Sequence, residues 1–359
     1  MLEFKFLNYF VLTPFIVLLV FIWSFFIKNN FYYVRISPGH SDILKNSKFL
    51  KKLNYNFFTN FFLYILIYVL FYVYMIKVDF SAYWFTHLKL NTFLLNFIYI
   101  IFLINLLMLS LIKFYKNKNI NFNIDYFFAL FNLCIFIPSI YMSNTMYTFI
   151  FLLEINSILI LYKFSVSKYF FNSPKDNEKN KFAKNTPKYY VNMMFFQYWI
   201  NFFSSVVLFF SIFNLLLLLG TTDWFLINIL NKFNIFYKNN YIIFFIIYFI
   251  FILGMFIKIG FTPSHLFKIE VYKGIPFISI LFYTIYYFLS FFLFFILIIF
   301  YYINSFLSFV WFFLFIFIII GLVYIISLLF DINLIKTFFA YSTIINSLTF
   351  IIILFVSLV

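Results

Sequence analysis

The chain has 359 residues, of which 66% are hydrophobic, and its mean hydropathy is +1.05. Soluble domains are about half apolar, so this composition excludes a water-soluble core and makes lipid the main solvent. A net charge of +15 would suit a nucleic-acid-binding protein, but here the lysines lie in loops between apolar runs. Membrane topology explains them better, and we expect membrane lipids and no nucleic acid as partners.

The choice of residues indicates a genome rich in A and T. Phe occurs 67 times and Tyr 30 times, whereas Gly occurs 6 times, Pro occurs 7 times and Arg35 is the only arginine. The abundant residues have A+T-rich codons, and the scarce ones have G+C-rich codons. Selection for aromatic packing is the alternative, but it does not explain why the cations are almost always Lys. Such a bias in so hydrophobic a protein is typical of an organelle genome.

Apolar runs long enough to cross a membrane follow one another along the chain. A spanning helix needs about 20 apolar residues, and about ten runs meet this rule. The first run is too long for the core of a signal peptide and is expected to remain as a helix. Helices satisfy their own backbone hydrogen bonds in lipid, which open strands do not. We therefore predict an all-α, polytopic membrane protein with one transmembrane domain over residues 1–359 and spans near 7–27, 58–77, 91–112, 124–142, 144–162, 190–219, 241–262, 275–302, 306–329 and 335–357.

The charge of the loops alternates from one side of the membrane to the other. The loops after the first, third, fifth and seventh predicted spans carry most of the lysines, and the opposite loops carry few. The positive-inside rule places the lysine-rich loops in the matrix or cytoplasm, with the N-terminus on the opposite side, which in a mitochondrion is the intermembrane space. The polar segment 163–189 holds seven lysines and is expected to be a solvated matrix loop.

Two charged residues lie inside predicted spans. Glu154 lies near the middle of the fifth, in FIFLLEINSILILY, and Lys258 lies late in the seventh, in FILGMFIKIGFTPSHLF. A charge at mid-bilayer costs about 2.5–3.5 kcal/mol, which is usually tolerated for a pathway or a partner. The alternatives are a protonated Glu154 bonded to a neighbouring helix and a Lys258 that extends to the membrane surface. Gly260 and Pro263 predict a discontinuous seventh helix, which favours a proton-transfer role for Lys258.

His265 and Lys336 are the other candidates for a proton path. His265 follows the predicted break, and an unperturbed His titrates near neutral pH, although a buried His with satisfied hydrogen bonds is equally compatible. Lys336 lies at the mouth of the last span, where contact with the membrane interface is the favoured interpretation. Cys134 is alone in an apolar run, and we find no metal-ligand cluster. The nucleotide-binding patterns G-x-G-x-x-G and G-x-x-x-x-G-K are absent, so we expect no cofactor, nucleotide or metal on this chain.

The segment KIGFTPSHLFKIEVYKGIP, residues 258–276, resembles the signature of the NADH dehydrogenase subunit 2 family of respiratory complex I. That signature has a membrane Lys followed by Pro-x-His-aromatic-Trp, Pro-Asp-Val-Tyr and Gly-x-Pro. Here Phe267 replaces the usual Trp and Glu270 the usual Asp. FIFLLEINSILILY, YWINFFSSVVLFF and IKTFFAYSTI resemble further family segments in the same order, so the likeness covers roughly residues 145–350. The residues in register are Glu154, Ser204, Ser205, Lys258, Gly260, Pro263, His265, Val271, Tyr272, Gly274, Pro276, Lys336, Ala340, Tyr341, Ser342 and Ile344.

The resemblance implies an antiporter-like fold and a mitochondrially encoded, proton-translocating subunit of the membrane arm of NADH:ubiquinone oxidoreductase, in the mitochondrial inner membrane. The enzyme activity would belong to the whole complex, whose other subunits bind NADH, FMN, iron–sulfur clusters and ubiquinone. Glu154 and Lys258 would form a charge pair, with His265 and Lys336 as further residues of the proton path. Other membrane-arm subunits would be its partners.

Two departures from the family affect this interpretation. The family often has a Lys in the eighth helix, where this chain has Phe288, and the Lys before the Phe-Ser-Ser helix is also absent, with Phe196 and Gln197 nearby. The family also continues for several helices beyond the segment that resembles IKTFFAYSTI, so we expect a separate chain to supply them. The alternatives are a stand-alone cation/proton antiporter and a structural subunit of the membrane arm that does not pump.

Overall fold

Contacts divide the structure, a computed structural model, into two compact units, Met1–Met142 and Ser143–Val359. The boundary falls at the tight connection that the sequence predicts between the fourth and fifth spans. Outside the described residues lie the predicted spans near 7–27, most of 58–77, 91–112 and 275–302, and also Pro263 and Phe288. The described residues are 64, 67, 81–83, 88–90, 96, 99–101, 103, 104, 107, 124–167, 181–233, 237–262, 264–285, 308–330, 332 and 334–358.

In the first unit, a short antiparallel hairpin precedes a long helix. Strand β1 is Ser81–Tyr83 and strand β2 is Leu88–Leu90, with Ser81 paired to Leu90. The hairpin is an exception to the all-α prediction, because three-residue strands are too short to show an alternating pattern in sequence. Helix α1, Ile124–Tyr141, lies over the predicted fourth span.

The second unit is built from helices. Helix α3 packs along α5 and α6 and also contacts α2, while α9 contacts both α6 and α8. The helices described in this unit are α2 (Met146–Ser167), α3 (Lys181–Leu219), α4 (Trp224–Phe233), α5 (Tyr237–Ile259), α6 (Leu266–Gly274), α7 (Phe277–Phe282), α8 (Ser308–Leu329) and α9 (Ile335–Leu358).

Four helices of the described residues are long and apolar enough to cross a membrane, namely the parts of α2, α3, α5 and α9 over Met146–Ser165, Tyr189–Leu219, Ile242–Ile259 and Ile335–Ile353. The chain is therefore a helical membrane protein by length and composition, and the count of ten spans stays a prediction. Helix α2 runs to Ser167 and α3 begins at Lys181, so the connection is shorter than the predicted polar loop 163–189. The loop prediction was too long because polarity indicates contact with solvent and not the end of a helix.

The distribution of side chains in the second unit suits lipid as the solvent. Large apolar side chains such as Phe203, Phe210 and Ile320 are exposed on the long helices. Polar side chains such as Gln197 and Ser204 on α3 are buried between helices. A soluble protein shows the reverse distribution, because water favours exposure of polar groups and burial of apolar ones.

Scarce glycines lie where helices approach most closely. A Cβ atom on Gly254 of α5 would lie 3.0 Å from the Leu208 side chain of α3, and one on Gly274 of α6 would overlap Met193 of α3. A Cβ atom on Gly321 of α8 would overlap the Thr262 side chain beyond the end of α5. Small residues allow such close packing in membrane helices. These contacts hold α3, α5, α6 and α8 around the predicted break.

Candidate functional site

The helix that carries Lys258 ends one residue after it, at Ile259. Gly260 has a positive φ of 82°, and its N–H donates to the carbonyl of Phe256 at 2.9 Å. The N–H of Phe261 donates to the same carbonyl at 3.0 Å. This is the usual glycine-terminated helix end, which L-amino acids with a Cβ adopt only with strain. The chain resumes as helix α6 at Leu266, so a break follows Lys258 as the sequence predicts.

Lys258 and Glu154 form an ion pair between two helices. The Nζ atom of Lys258 on α5 lies 2.5 Å from Oε1 of Glu154 on α2, although 104 positions separate the two residues in sequence. The hydroxyl of Ser157, one turn later on α2, donates to Oε2 of Glu154 at 3.3 Å. Both predicted intramembrane charges are therefore in one site, and each carboxylate oxygen of Glu154 has a polar neighbour.

The two members of the pair differ in burial. The Lys258 side chain is fully buried, whereas the Glu154 side chain is 30% exposed at the protein surface. A buried ammonium group is costly without a carboxylate beside it, and removing one partner of a buried pair costs about 3–5 kcal/mol. Glu154 therefore stabilises the charged form of Lys258, and any change in their separation alters how strongly Lys258 holds its proton.

His265 lies in the break, immediately before α6, and is buried. Its ring contacts the ring of Tyr324 on α8, with centroids 5.7 Å apart and an interplanar angle of 74°. Thr262, also buried, lies between Lys258 and His265 in sequence. The structure therefore places His265 in the same broken segment as Lys258, and Tyr324 of α8 contacts its ring.

Lys336 has a different environment from Lys258. It lies in the first turn of α9, and its Nζ atom donates to the backbone carbonyl of Ile275 at 2.6 Å. Ile275 directly follows the last residue of α6, so the ammonium group lies at the negative end of that helix. A backbone carbonyl is not a titratable group. The geometry assigns Lys336 a helix-capping contact between α9 and α6.

Two buried lysines were missed because the sequence analysis placed both in loops. Lys268 lies on α6 and is fully buried, and Lys163 lies in α2 and is 1% exposed. The Nζ atom of Lys163 lies 5.2 Å from the centroid of the Phe282 ring, within the range of a cation–π interaction. Lys268 has an apolar neighbour on each side in sequence, Phe267 before it and Ile269 after it, although the stretch also contains charged residues. These two neighbours were the signal in the sequence that Lys268 is buried.

Helix α3 presents a polar stripe to the broken helix. Met193 contacts Gly274 of α6, and Leu208 contacts Gly254 of α5. The residues that recur between Met193 and Leu208 at helical spacing are Gln197, Asn201 and Ser204, and all three are buried. The stripe therefore faces α5 and α6 over a rise of about 22 Å.

No protein family model matches the chain. A stretch of 88 residues is 39% identical to an uncharacterized mitochondrial protein, ORF4, of Paramecium tetraurelia. The match spans 23% of this chain and 55% of that protein. The likeness supports a mitochondrial origin, as the codon bias predicts. Together with the apolar helices, it indicates a mitochondrial membrane protein.

Proposed function

We propose that this chain is a proton-translocating membrane-arm subunit of NADH:ubiquinone oxidoreductase in the mitochondrial inner membrane. The observation that supports the proposal is the ion pair between Lys258 and Glu154 beside a broken helix. Both residues match the resemblance to the NADH dehydrogenase subunit 2 family, and so does the sequence around the break. Quinone reduction takes place in other subunits, and this chain binds neither nucleotide nor flavin.

The pair suits proton transfer because it joins two titratable groups of opposite charge in direct contact. A pair of unit charges 4 Å apart interacts by about 4 kcal/mol at an effective dielectric of 20. Since one pKa unit corresponds to about 1.36 kcal/mol, separating the pair shifts the proton affinity of the ammonium group by a few units. A conformational change in the complex that moves Glu154 relative to Lys258 would load or release a proton.

The orientation follows from the lysines. Positions 168–180 connect α2 to α3 and contain Lys168, Lys175 and Lys179, and three more lysines begin α3. The positive-inside rule places this connection in the matrix. Protease added outside mitochondria that have lost their outer membrane should leave it intact. Cleavage there from the outside would reverse the proposed orientation.

Purification of the tagged chain in mild detergent tests the assignment to the complex. The purified material should oxidise NADH with a ubiquinone analogue as acceptor, and Lys258→Met should lower the number of protons pumped per electron in assembled complexes. Unchanged proton-to-electron stoichiometry in Lys258→Met would argue for a structural subunit. Purification without NADH dehydrogenase, together with cation/proton exchange by the isolated chain in liposomes, would establish the stand-alone antiporter instead.

A further inference from the structure

A second buried lysine lies on the other side of the break from Lys258. Lys268 is ten positions further along the chain, on α6, and is fully buried. Its Cδ atom lies 3.3 Å from the position that a Cβ atom would occupy on Gly260. The Lys268 side chain therefore extends back toward Gly260, which is two residues after Lys258 and directly follows α5. The two lysines lie on either side of the same interruption in the helix.

The segment between the two lysines carries polar groups at short intervals. Thr262 and His265 are both buried, and the carbonyl of His265 accepts a hydrogen bond from the Lys268 N–H at 3.1 Å. The hydroxyl of Thr262 has no hydrogen-bond partner within the part of the chain that the structure describes. A threonine hydroxyl can accept a hydrogen bond from one neighbour and donate one to another, so Thr262 can link polar groups on its two sides.

Helix α3 supplies polar groups to the same region. Gln197, Asn201 and Ser204 occupy the stripe that faces α5 and α6, between the levels of Gly274 and Gly254. Gln197 is fully buried, and neither its amide oxygen nor its amide nitrogen has a hydrogen-bond partner among the described residues. Buried polar groups in proteins are usually satisfied by protein or ordered water. The stripe is therefore suited to hold water along the break.

The charged residues near Lys268 lie on α6 itself and at the start of α9. Glu270 pairs with Lys273 at 2.6 Å on α6 itself, and Lys336 donates to the carbonyl of Ile275. Burial lowers the pKa of Lys268 to about 7, so its charged and neutral forms are both populated near neutral pH. The titratable residues on α6 and on the described parts of its packing partners α3 and α9 also include Lys181, Lys184, Lys188, Tyr189, Tyr190, Tyr198, Tyr272 and Tyr341.

We propose that Lys268 is a second proton-carrying residue that exchanges protons with Lys258 across the break between α5 and α6. In each exchange, the ammonium group of one lysine gives up an N–H proton, and the lone pair of the other, neutral lysine takes up a proton through intervening hydroxyl groups and water. No oxidant or reductant is involved, and the total charge is unchanged. This inference rests on the proposed function.

The test uses three variants of Lys268 and one of Lys273. Each is assayed in membrane vesicles, and proton pumping is normalised to the amount of assembled complex. Lys268→Met removes the titratable group, Lys268→His keeps one that titrates near neutral pH, and Lys268→Arg keeps a permanent charge. Lys273→Met is the matched control, since Lys273 lies on the same helix and is paired with Glu270. Proton-to-electron stoichiometry is the readout, and Lys258→Met is measured beside them.

Lys268→Met should show the same loss of pumping as Lys258→Met, Lys268→His should recover pumping, and Lys268→Arg should not. Normal stoichiometry in Lys268→Met would overturn the inference, and so would equal recovery by Arg and His, which indicates a purely structural charge. Where Lys268→Met fails to assemble, the comparison of His with Arg decides. A loss in Lys258→Met with none in Lys268→Met rejects this inference alone, whereas no loss in Lys258→Met rejects the proposed function.

Discussion

Lys258 and Lys336 appear alike in sequence but lie in different environments. Each adjoins a long apolar run, and each matches a lysine of the family that the chain resembles. In the structure, Lys258 is fully buried and paired with the carboxylate of Glu154, whereas Lys336 is half-buried and donates to the carbonyl of Ile275. The first contact joins two titratable groups, and the second joins a cation to a helix end.

The chemical difference between the two partners predicts a difference in what each lysine can do. A carboxylate accepts a proton and changes its charge, so its position controls the proton affinity of the lysine. A backbone carbonyl has a fixed partial charge and does not take up a proton. We therefore expect changes at the Lys258 site to alter proton pumping, and changes at the Lys336 site to alter stability alone.

The largest effect is expected from breaking the pair on the Glu154 side. Glu154→Gln leaves the buried ammonium group of Lys258 without a carboxylate and should lower the free energy of unfolding by about 3–5 kcal/mol. Lys258→Met leaves the Glu154 carboxylate without its ammonium partner and should also lower the free energy of unfolding. Thermal unfolding of assembled complexes measures both effects.

The double variant Glu154→Gln/Lys258→Met is the matched control for that comparison. It removes both charges, so it should recover most of the stability that Glu154→Gln loses and none of the pumping. If the double variant is as unstable as the sum of the single variants, the two side chains do not depend on each other and the pairing is incorrect.

The next effect compares close contacts near the two ends of α6. Gly321→Ala places a methyl group against Thr262 near the Lys258 site, and Gly274→Ala places one against Met193 near the Lys336 site. Each should lower the free energy of unfolding by about 1–3 kcal/mol through overpacking. Only Gly321→Ala should also reduce pumping per assembled complex. A larger pumping defect in Gly274→Ala would reverse the assignment of the two ends.

Removal of the helix-capping contact should have a moderate effect. Lys336→Met deletes the charged hydrogen bond to Ile275, and such bonds contribute about 1.5–3 kcal/mol. We expect a lower melting temperature with normal pumping per assembled complex. Lys336→Arg, which keeps the charge and several N–H donors, is the control and should recover part of the stability.

The smallest effect is expected at Lys163, a buried lysine outside both sites. Its ammonium group lies 5.2 Å from the centroid of the Phe282 ring, and cation–π contacts contribute about 0.5–2 kcal/mol. Phe282→Leu keeps an apolar side chain but removes the ring, so it should lower stability by that amount and leave pumping unchanged. A pumping defect would show that Lys163 belongs to the proton path as well.

The parts of this site that the sequence predicts are those with a local signal. Glu154 and Lys258 interrupt apolar runs, and Gly260 marks the helix end because few other residues adopt a positive φ. The partner of Lys336 is a backbone carbonyl 61 positions away, which no side-chain pattern can indicate. Lys268 was assigned to a loop because it lies near Glu270 and Lys273, and hydropathy averages over neighbours whose burial differs.

The same limit applies to the fold. Helices α8 and α9 lie over the predicted ninth and tenth spans, because long apolar runs determine helix position in lipid. Helix α4 was not predicted, since ten residues are too few for a span and its polar residues resemble a loop. The hairpin of β1 and β2 was missed for a similar reason, since each strand has three residues.

The most direct test is to measure proton-to-electron stoichiometry for Lys258→Met and Lys336→Met side by side, in membrane vesicles that contain equal amounts of assembled complex. The pair of Lys258 with Glu154 and the carbonyl contact of Lys336 predict a clear difference between the two variants. Lys258→Met should pump fewer protons per electron, and Lys336→Met should pump as many as the unaltered chain. Equal stoichiometry in the two variants, whether both normal or both reduced, would contradict the distinction between a proton-transfer lysine and a helix-capping one.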